Sequence, residues 1–167
     1  MNRIKLSPLA SAPTKSQTQT DKPASNVSAN SAPLFPFEKH SNGADHETSL
    51  FAPLHYEKNY SYPLVVWLHA DSQKSAQLQT VMPEISMRNY VGVAPQAPVG
   101  NFECGYFWEQ DYDAVRAADE LIHGAVERAC SQFNVAKNRI FLAGLGGGGT
   151  MALRIAMQYP EKFAGVM

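Results

Sequence analysis

Three short apolar runs constrain this chain more than anything else in it. Leu64-Val65-Val66-Trp67-Leu68, Tyr90-Val91-Gly92-Val93-Ala94 and Ile140-Phe141-Leu142-Ala143 are each of strand length, and none alternates apolar with polar residues. A strand that is apolar on both sides must be buried on both sides. That is the habit of parallel sheets covered by helices, not of sheets with one wet face.

The segments between the runs supply the helices. Residues 75–88 predict a short helix interrupted at Pro83. Asp111 or Asp113 is placed to cap a longer one. Its apolar positions, Val115, Ala118, Ile122, Ala125, Val126, Ala129 and Phe133, step by three and four and so form one stripe fit to lie on a sheet. His123 falls beside that stripe and reads as a helix-surface histidine. Asn134 and Asn138 end the helix, and residues 96–108, rich in Gly, Pro and aromatics, read as an irregular loop. Ser49-Leu50-Phe51-Ala52 predicts a short strand stopped by Pro53, residues 151–159 a helix ended by Pro160, and residues 163–167 a fourth core strand. Alternating strands and helices imply an α/β fold, a mainly parallel sheet with helices on both faces.

This pattern begins only near Thr48. Residues 7–34 are dominated by Ser, Thr, Pro, Gln, Asn, Lys and Ala, and no aromatic precedes Phe35. Such a stretch buries too little apolar surface to offset the roughly 1–2 kcal/mol per residue of backbone entropy lost on ordering. Residues 1–46 are therefore expected to be a disordered tail and linker, and residues 47–167 the folded domain. His40 and His46, in the linker, lack metal-ligand spacing.

Charge and cysteine content exclude several partners. A net charge of −1 gives no field to attract nucleic acid. No apolar run is long enough to span a bilayer. Residues 1–8 are basic but lack the apolar stretch of a secretory signal, so a cytoplasmic location is expected. Cys104 and Cys130 read as free thiols. No metal and no cofactor is expected.

The chemistry turns on the glycine-rich segment that succeeds the 140–143 run. Strand, sharp glycine turn, helix is the setting of the nucleophile elbow, Gly-x-Ser-x-Gly, where a serine sits on a strained turn and only small neighbours fit. The frame here is Gly144-Leu145-Gly146-Gly147-Gly148. Its outer glycines match, but the nucleophile position holds Gly146, which has no side chain to attack a carbonyl. Thr150 lies in the first helical turn and reads as helix surface or packing. Gly144-x-Gly146-x-x-Gly149 also fits the dinucleotide fingerprint, but that motif normally opens the first strand-helix unit and this one closes the third. A phosphate loop fails, because Gly149 is followed by Thr150 with no lysine.

Tyr62-Pro63-Leu64-Val65-Val66-Trp67-Leu68-His69 resembles the strand and His-Gly turn of phospholipase/carboxylesterase-type α/β hydrolases. The segment from Gly144 through Gly148 and Gly149 to Thr150-Met151-Ala152-Leu153 resembles their elbow, and Tyr159-Pro160-Glu161-Lys162-Phe163-Ala164-Gly165-Val166 the exit into the next strand. The resemblance implies hydrolysis of a small-molecule carboxylic ester. It implies backbone N–H groups of Gly147 and Asp71 as the oxyanion hole, with His69 shaping the loop and not serving as the base. Ala70 stands where the family has glycine, so less freedom to turn is expected there. The family's acid and histidine come after the serine in chain order. They would lie past Met167, so the sequence reads as the first half of a hydrolase, catalytically inactive as it stands. An unpaired edge along either the strand from Phe163 or the Arg139–Ala143 strand would invite self-association. The competing readings are a non-catalytic binding module on the same scaffold and a dinucleotide-binding α/β protein.

Overall fold

The computed structural model describes residues 47–167. The expected disordered tail, with His40 and His46, lies outside the described residues.

The runs at 64–68, 90–94 and 140–143 form buried strands, but the stretch 163–167 does not: only Gly165–Val166 is a strand, and it lies at the sheet edge with Val166 exposed. The strands are β1 (Thr48–Phe51), β2 (Tyr62–Leu68), β3 (Val91–Pro95), β4 (Val99–Asn101), β5 (Gly105–Phe107), β6 (Val135–Gly144) and β7 (Gly165–Val166). The α-helices are α1 (Leu78–Ile85), preceded by a single 3-10 turn (Ser75–Gln77), α2 (Tyr112–Gln132) and α3 (Gly147–Gln158). The main sheet has the order β1-β3-β2-β6-β7. Strands β3, β2, β6 and β7 run parallel, and β1 joins the β3 edge antiparallel.

The continuous apolar pattern of β2 is explained by a core on each side. Leu64, Val66 and Leu68 point to one face, where they pack with Val115, Ala118 and Ile122 of α2 and with Met151 and Ile155 of α3. Val65 and Trp67 point to the other, where they meet Leu78 and Met82 of α1. Period-two alternation thus survives as two cores, both apolar. Val115, Ala118, Ile122, Ala125 and Ala129 of the α2 stripe are buried, whereas Val126 is partly buried and Phe133 lies just past the helix. The helix start is settled, because the Asp111 carboxylate accepts from the Ala114 N–H at 2.9 Å.

Four local expectations need correction. Pro83 does not interrupt the helix but lies inside α1. Leu78 and Met82 are fully buried there, and that burial outweighs the one backbone bond a proline removes. Residues 96–108 are not irregular throughout, because β4 and β5 form a hairpin. Its turn is held by the Asn101 side chain, which accepts from the Glu103 and Cys104 N–H groups. Strand β6 starts at Val135 rather than after Asn138, with an irregular register against β2 between Tyr62 and Leu64. Gly147, Gly148 and Gly149 belong to α3 rather than to the turn before it.

Candidate active site

Two turns meet beyond the ends of β2 and β6. The turn after β6 is built by glycines, and each has a steric reason. A Cβ on Gly144 would lie 2.7 Å from the Gly148 carbonyl carbon and 2.8 Å from the Gly149 nitrogen. A Cβ on Gly148 would overlap the carbonyl oxygens of Leu68 and His69. The outer glycines of the motif therefore let α3 start directly against the end of β2. Gly149 is tight as well, its Cβ position lying 3.0 Å from the Gly144 carbonyl oxygen. Between them Gly146 adopts φ 59° and ψ −128°. That combination is strained for any residue with a side chain, and such strain is what an elbow imposes on its nucleophile.

The turn after β2 is built instead by buried hydrogen bonds around His69, which is fully buried. The protonation of its ring is set by the network. The Ser75 N–H donates to Gln96 Oε1 at 2.9 Å, so the Gln96 amide nitrogen faces His69 Nε2, also at 2.9 Å. The Ala97 N–H donates to the same Nε2 at 3.1 Å. Two donors converge there, so Nε2 carries no proton, and Nδ1–H donates to the Ala70 carbonyl at 2.9 Å. Burial holds the imidazole below its ordinary pKa, against the Ala70 carbonyl and the Asp71 charge, which pull the other way. Trp108 closes the network by donating its indole N–H to the His69 carbonyl at 3.1 Å. With both nitrogens engaged inside the core, this histidine shapes the loop and has no free edge for proton transfer.

The loop turns at Ser72, not at Ala70. Ser72 has φ 61°, a left-handed conformation unusual for a residue with a side chain. Ala70 needs no such freedom: its N–H donates to Gln77 Oε1 at 2.9 Å and its carbonyl accepts from Gln73 N–H at 3.0 Å. The β4–β5 hairpin braces the bend, because the Ser72 N–H donates to the Tyr106 carbonyl at 3.1 Å. Gly105 packs so closely on Ser72 that a Cβ would overlap its carbonyl.

The two turns touch through Asp71. Its carboxylate oxygen Oδ2 accepts from the Gly147 N–H at 3.1 Å. The same oxygen is 3.0 Å, and the Asp71 nitrogen 4.0 Å, from the place a Cβ on Gly146 would occupy. The backbone N–H of Gly147 and the backbone of Asp71 are thus brought to one point beside Gly146, with the Asp71 side chain folded into it.

Sequence reasoning did not single out the residues that fasten this arrangement. Gln110 donates to the carbonyls of Gly147, at 3.1 Å, and Trp108, at 2.9 Å, and Arg154 donates to the Gln110 carbonyl. Gln77 ties Trp67 Nε1 to the Ala70 N–H through one oxygen. A glutamine in a loop carries no pattern, so only the three-dimensional structure reveals these ties.

Other singled-out residues lie apart. Thr150 is an exposed residue of α3 whose hydroxyl donates to the Gly146 carbonyl at 3.3 Å. His123 sits on the surface of α2, with Nε2 3.4 Å from Asp119 and 3.0 Å from Lys162 Nζ. Cys104 and Cys130 are free thiols, and burial pushes the Cys130 thiol up from its ordinary pKa. A cavity of about 360 Å³ is lined by residues of α2, β6 and the segment after α3, including Ile122, Ile140 and Phe163, and no elbow residue lines it. Among the described residues no group of three or more His, Cys, Asp or Glu could hold a metal ion, and no helix is long and apolar enough to cross a membrane.

No family model matches the chain, and no curated protein matches it. Solved structures do. An acetyl xylan esterase from Aspergillus awamori aligns over 71% of this chain and 44% of its own length, at 16% identity and a TM-score of 0.54. The esterase PE8 aligns over 73% and 61%, at 20% identity and a TM-score of 0.52. A ferulic acid esterase from Anaeromyces mucronatus aligns over 70% and 48%, at 15% identity and a TM-score of 0.50. The chain thus spans less than two thirds of each of these proteins. At such identities the likeness speaks for architecture: the described residues carry the α/β-hydrolase fold found in solved esterases.

Proposed function

We propose that this chain is an esterase-type hydrolase scaffold, directed at a small-molecule carboxylic ester, whose elbow is silent in serine chemistry. One observation carries the reading. Gly146 occupies the nucleophile position in the strained conformation, φ 59° and ψ −128°, and presents no atom that could attack. The rest of the site supports it. The Gly147 N–H next to Gly146, and the Asp71 nitrogen 4.0 Å from the Gly146 Cβ position, support reading these two backbone groups as oxyanion donors. The histidine of the neighbouring loop has both ring nitrogens engaged in hydrogen bonds, and burial holds it below its ordinary pKa. The glycine run is accounted for by close packing of α3 on the end of β2, so it needs no phosphate ligand to explain it. The same reading keeps β7, at one edge of the main sheet, as a strand through which copies could pair.

Hydrolysis of p-nitrophenyl acetate tests this. The purified chain is expected to release nitrophenolate no faster than buffer containing an inert protein. Gly146→Ser is expected to add little, because the neighbouring His69 has both ring nitrogens engaged and catalytic residues act as a unit. Saturable turnover by the unaltered chain, abolished by an active-site-directed inhibitor, would overturn the proposal.

A further inference from the structure

The Asp71 side chain has a position that a silent elbow does not by itself explain. An oxyanion loop needs only a backbone N–H from this residue. Here the carboxylate is folded back onto the elbow, where Oδ2 accepts from the Gly147 N–H at 3.1 Å. A Cβ on Gly147 itself would overlap Oδ1. The carboxylate also stands at the start of α3, a helix of 12 residues, where the end of the helix dipole favours negative charge. A negatively charged oxygen held by a backbone N–H at this turn is what an ester would present on reaching its tetrahedral state. Asp71 presents the same group from within the chain.

We propose that Asp71 is an internal gate. Its carboxylate occupies the Gly147 N–H in the manner of a substrate oxyanion, and so closes the elbow to carbonyl and carboxylate ligands for a reason independent of the missing serine. The proposal rests on reading this turn as a hydrolase elbow. It also goes further, because it assigns a function to a side chain rather than to a backbone group. A consequence is that the elbow accepts a carboxylate, the product class of ester hydrolysis, only when Asp71 is withdrawn. The two bonds compete for one donor, so charge and geometry decide the occupant.

Acetate titrated at neutral pH into the full chain, followed on the Gly147 amide resonance, tests the gate. In the unaltered chain that amide is expected to exchange slowly with solvent and to stay unmoved by acetate. In Asp71→Ala it is expected to shift saturably, with acetate binding at least about tenfold tighter, the scale of one charge-assisted hydrogen bond. An Asp71→Ala chain whose Gly147 amide ignores acetate would overturn the proposal. So would an unaltered chain whose amide responds equally well. Rapid exchange of the Gly147 amide in the unaltered chain would overturn it without any variant, which covers the case of a variant that fails to fold. Ester turnover, measured separately, would contradict the silent-elbow reading and leave this contact standing.

Discussion

The two turns of the site solve the same problem by opposite means. Residues 69–74 must leave a buried strand and bend, and they do so with side chains. Gln96 and Trp108 bind His69, Gln77 accepts from the Ala70 N–H, and Ser72 takes a left-handed conformation under the hairpin. Residues 144–149 make a sharper bend by having almost no side chains. Gly144 and Gly148 let backbone approach backbone, and Gly146 absorbs the positive φ at no steric cost. The lesson is that the shape of this glycine turn is set by packing rather than by any side chain at residue 146. The steric demands at Gly144 and Gly148 come from packing α3 against β2, so they persist whether or not residue 146 can react.

The strongest way to break this comparison is to put a side chain where the glycine turn forbids one. Gly148→Ala would drive a methyl group into the carbonyls of Leu68 and His69, rigid backbone at the end of a buried strand. A loss of about 3 kcal/mol or more is expected, at the upper end of overpacking costs, read as the shift in a urea unfolding midpoint. A loss below about 1 kcal/mol, the low end of the same range, would mean that α3 is not seated as described.

A gentler probe sits two residues away. Gly146→Ala places a Cβ in a backbone region unfavourable to side chains, 3.0 Å from the Asp71 carboxylate. A loss of about 1–3 kcal/mol is expected. Part of it should be returned when Asp71→Ala is added, a coupling that a double-mutant cycle measures. Strict additivity would show that Asp71 does not stand over the elbow.

The other turn is probed by protons. Burial lowers the His69 pKa below its ordinary value of 6.5. The unfolded chain therefore binds more protons than the folded one in the window below 6.5. Stability is full above that pH and falls as the pH drops through 6.5 toward the folded value, by at most about 1.4 kcal/mol per pH unit for one proton. Thermal melts from mildly alkaline to mildly acidic pH read the slope, and His69→Asn should flatten it. An unchanged slope in that variant would place the proton uptake elsewhere.

The contrast between the turns also explains which features are legible in the sequence. The strands and α2 are legible because burial on two faces and on one helical stripe leaves periodic marks, as in β2 and at Val115, Ala118 and Ile122. The glycine turn is legible because steric exclusion leaves glycines at fixed spacing. The hairpin at 99–107 is not, since strands of three residues are too short to show a period. Nor are the roles of Gln77, Gln96 and Gln110, whose partners are distant in sequence or are backbone atoms. The left-handed Ser72 is hidden as well, because the hairpin and not the residue type imposes it.

The central claim is that the elbow keeps its shape without a nucleophile, and intact-mass analysis after exposure to a fluorophosphonate probe tests it most directly. The account predicts the unmodified mass of the chain, because Gly146 offers the probe no oxygen. A stoichiometric mass increase mapping to Ser72, Ser75 or Thr150 would contradict it and move the reactive centre to that residue.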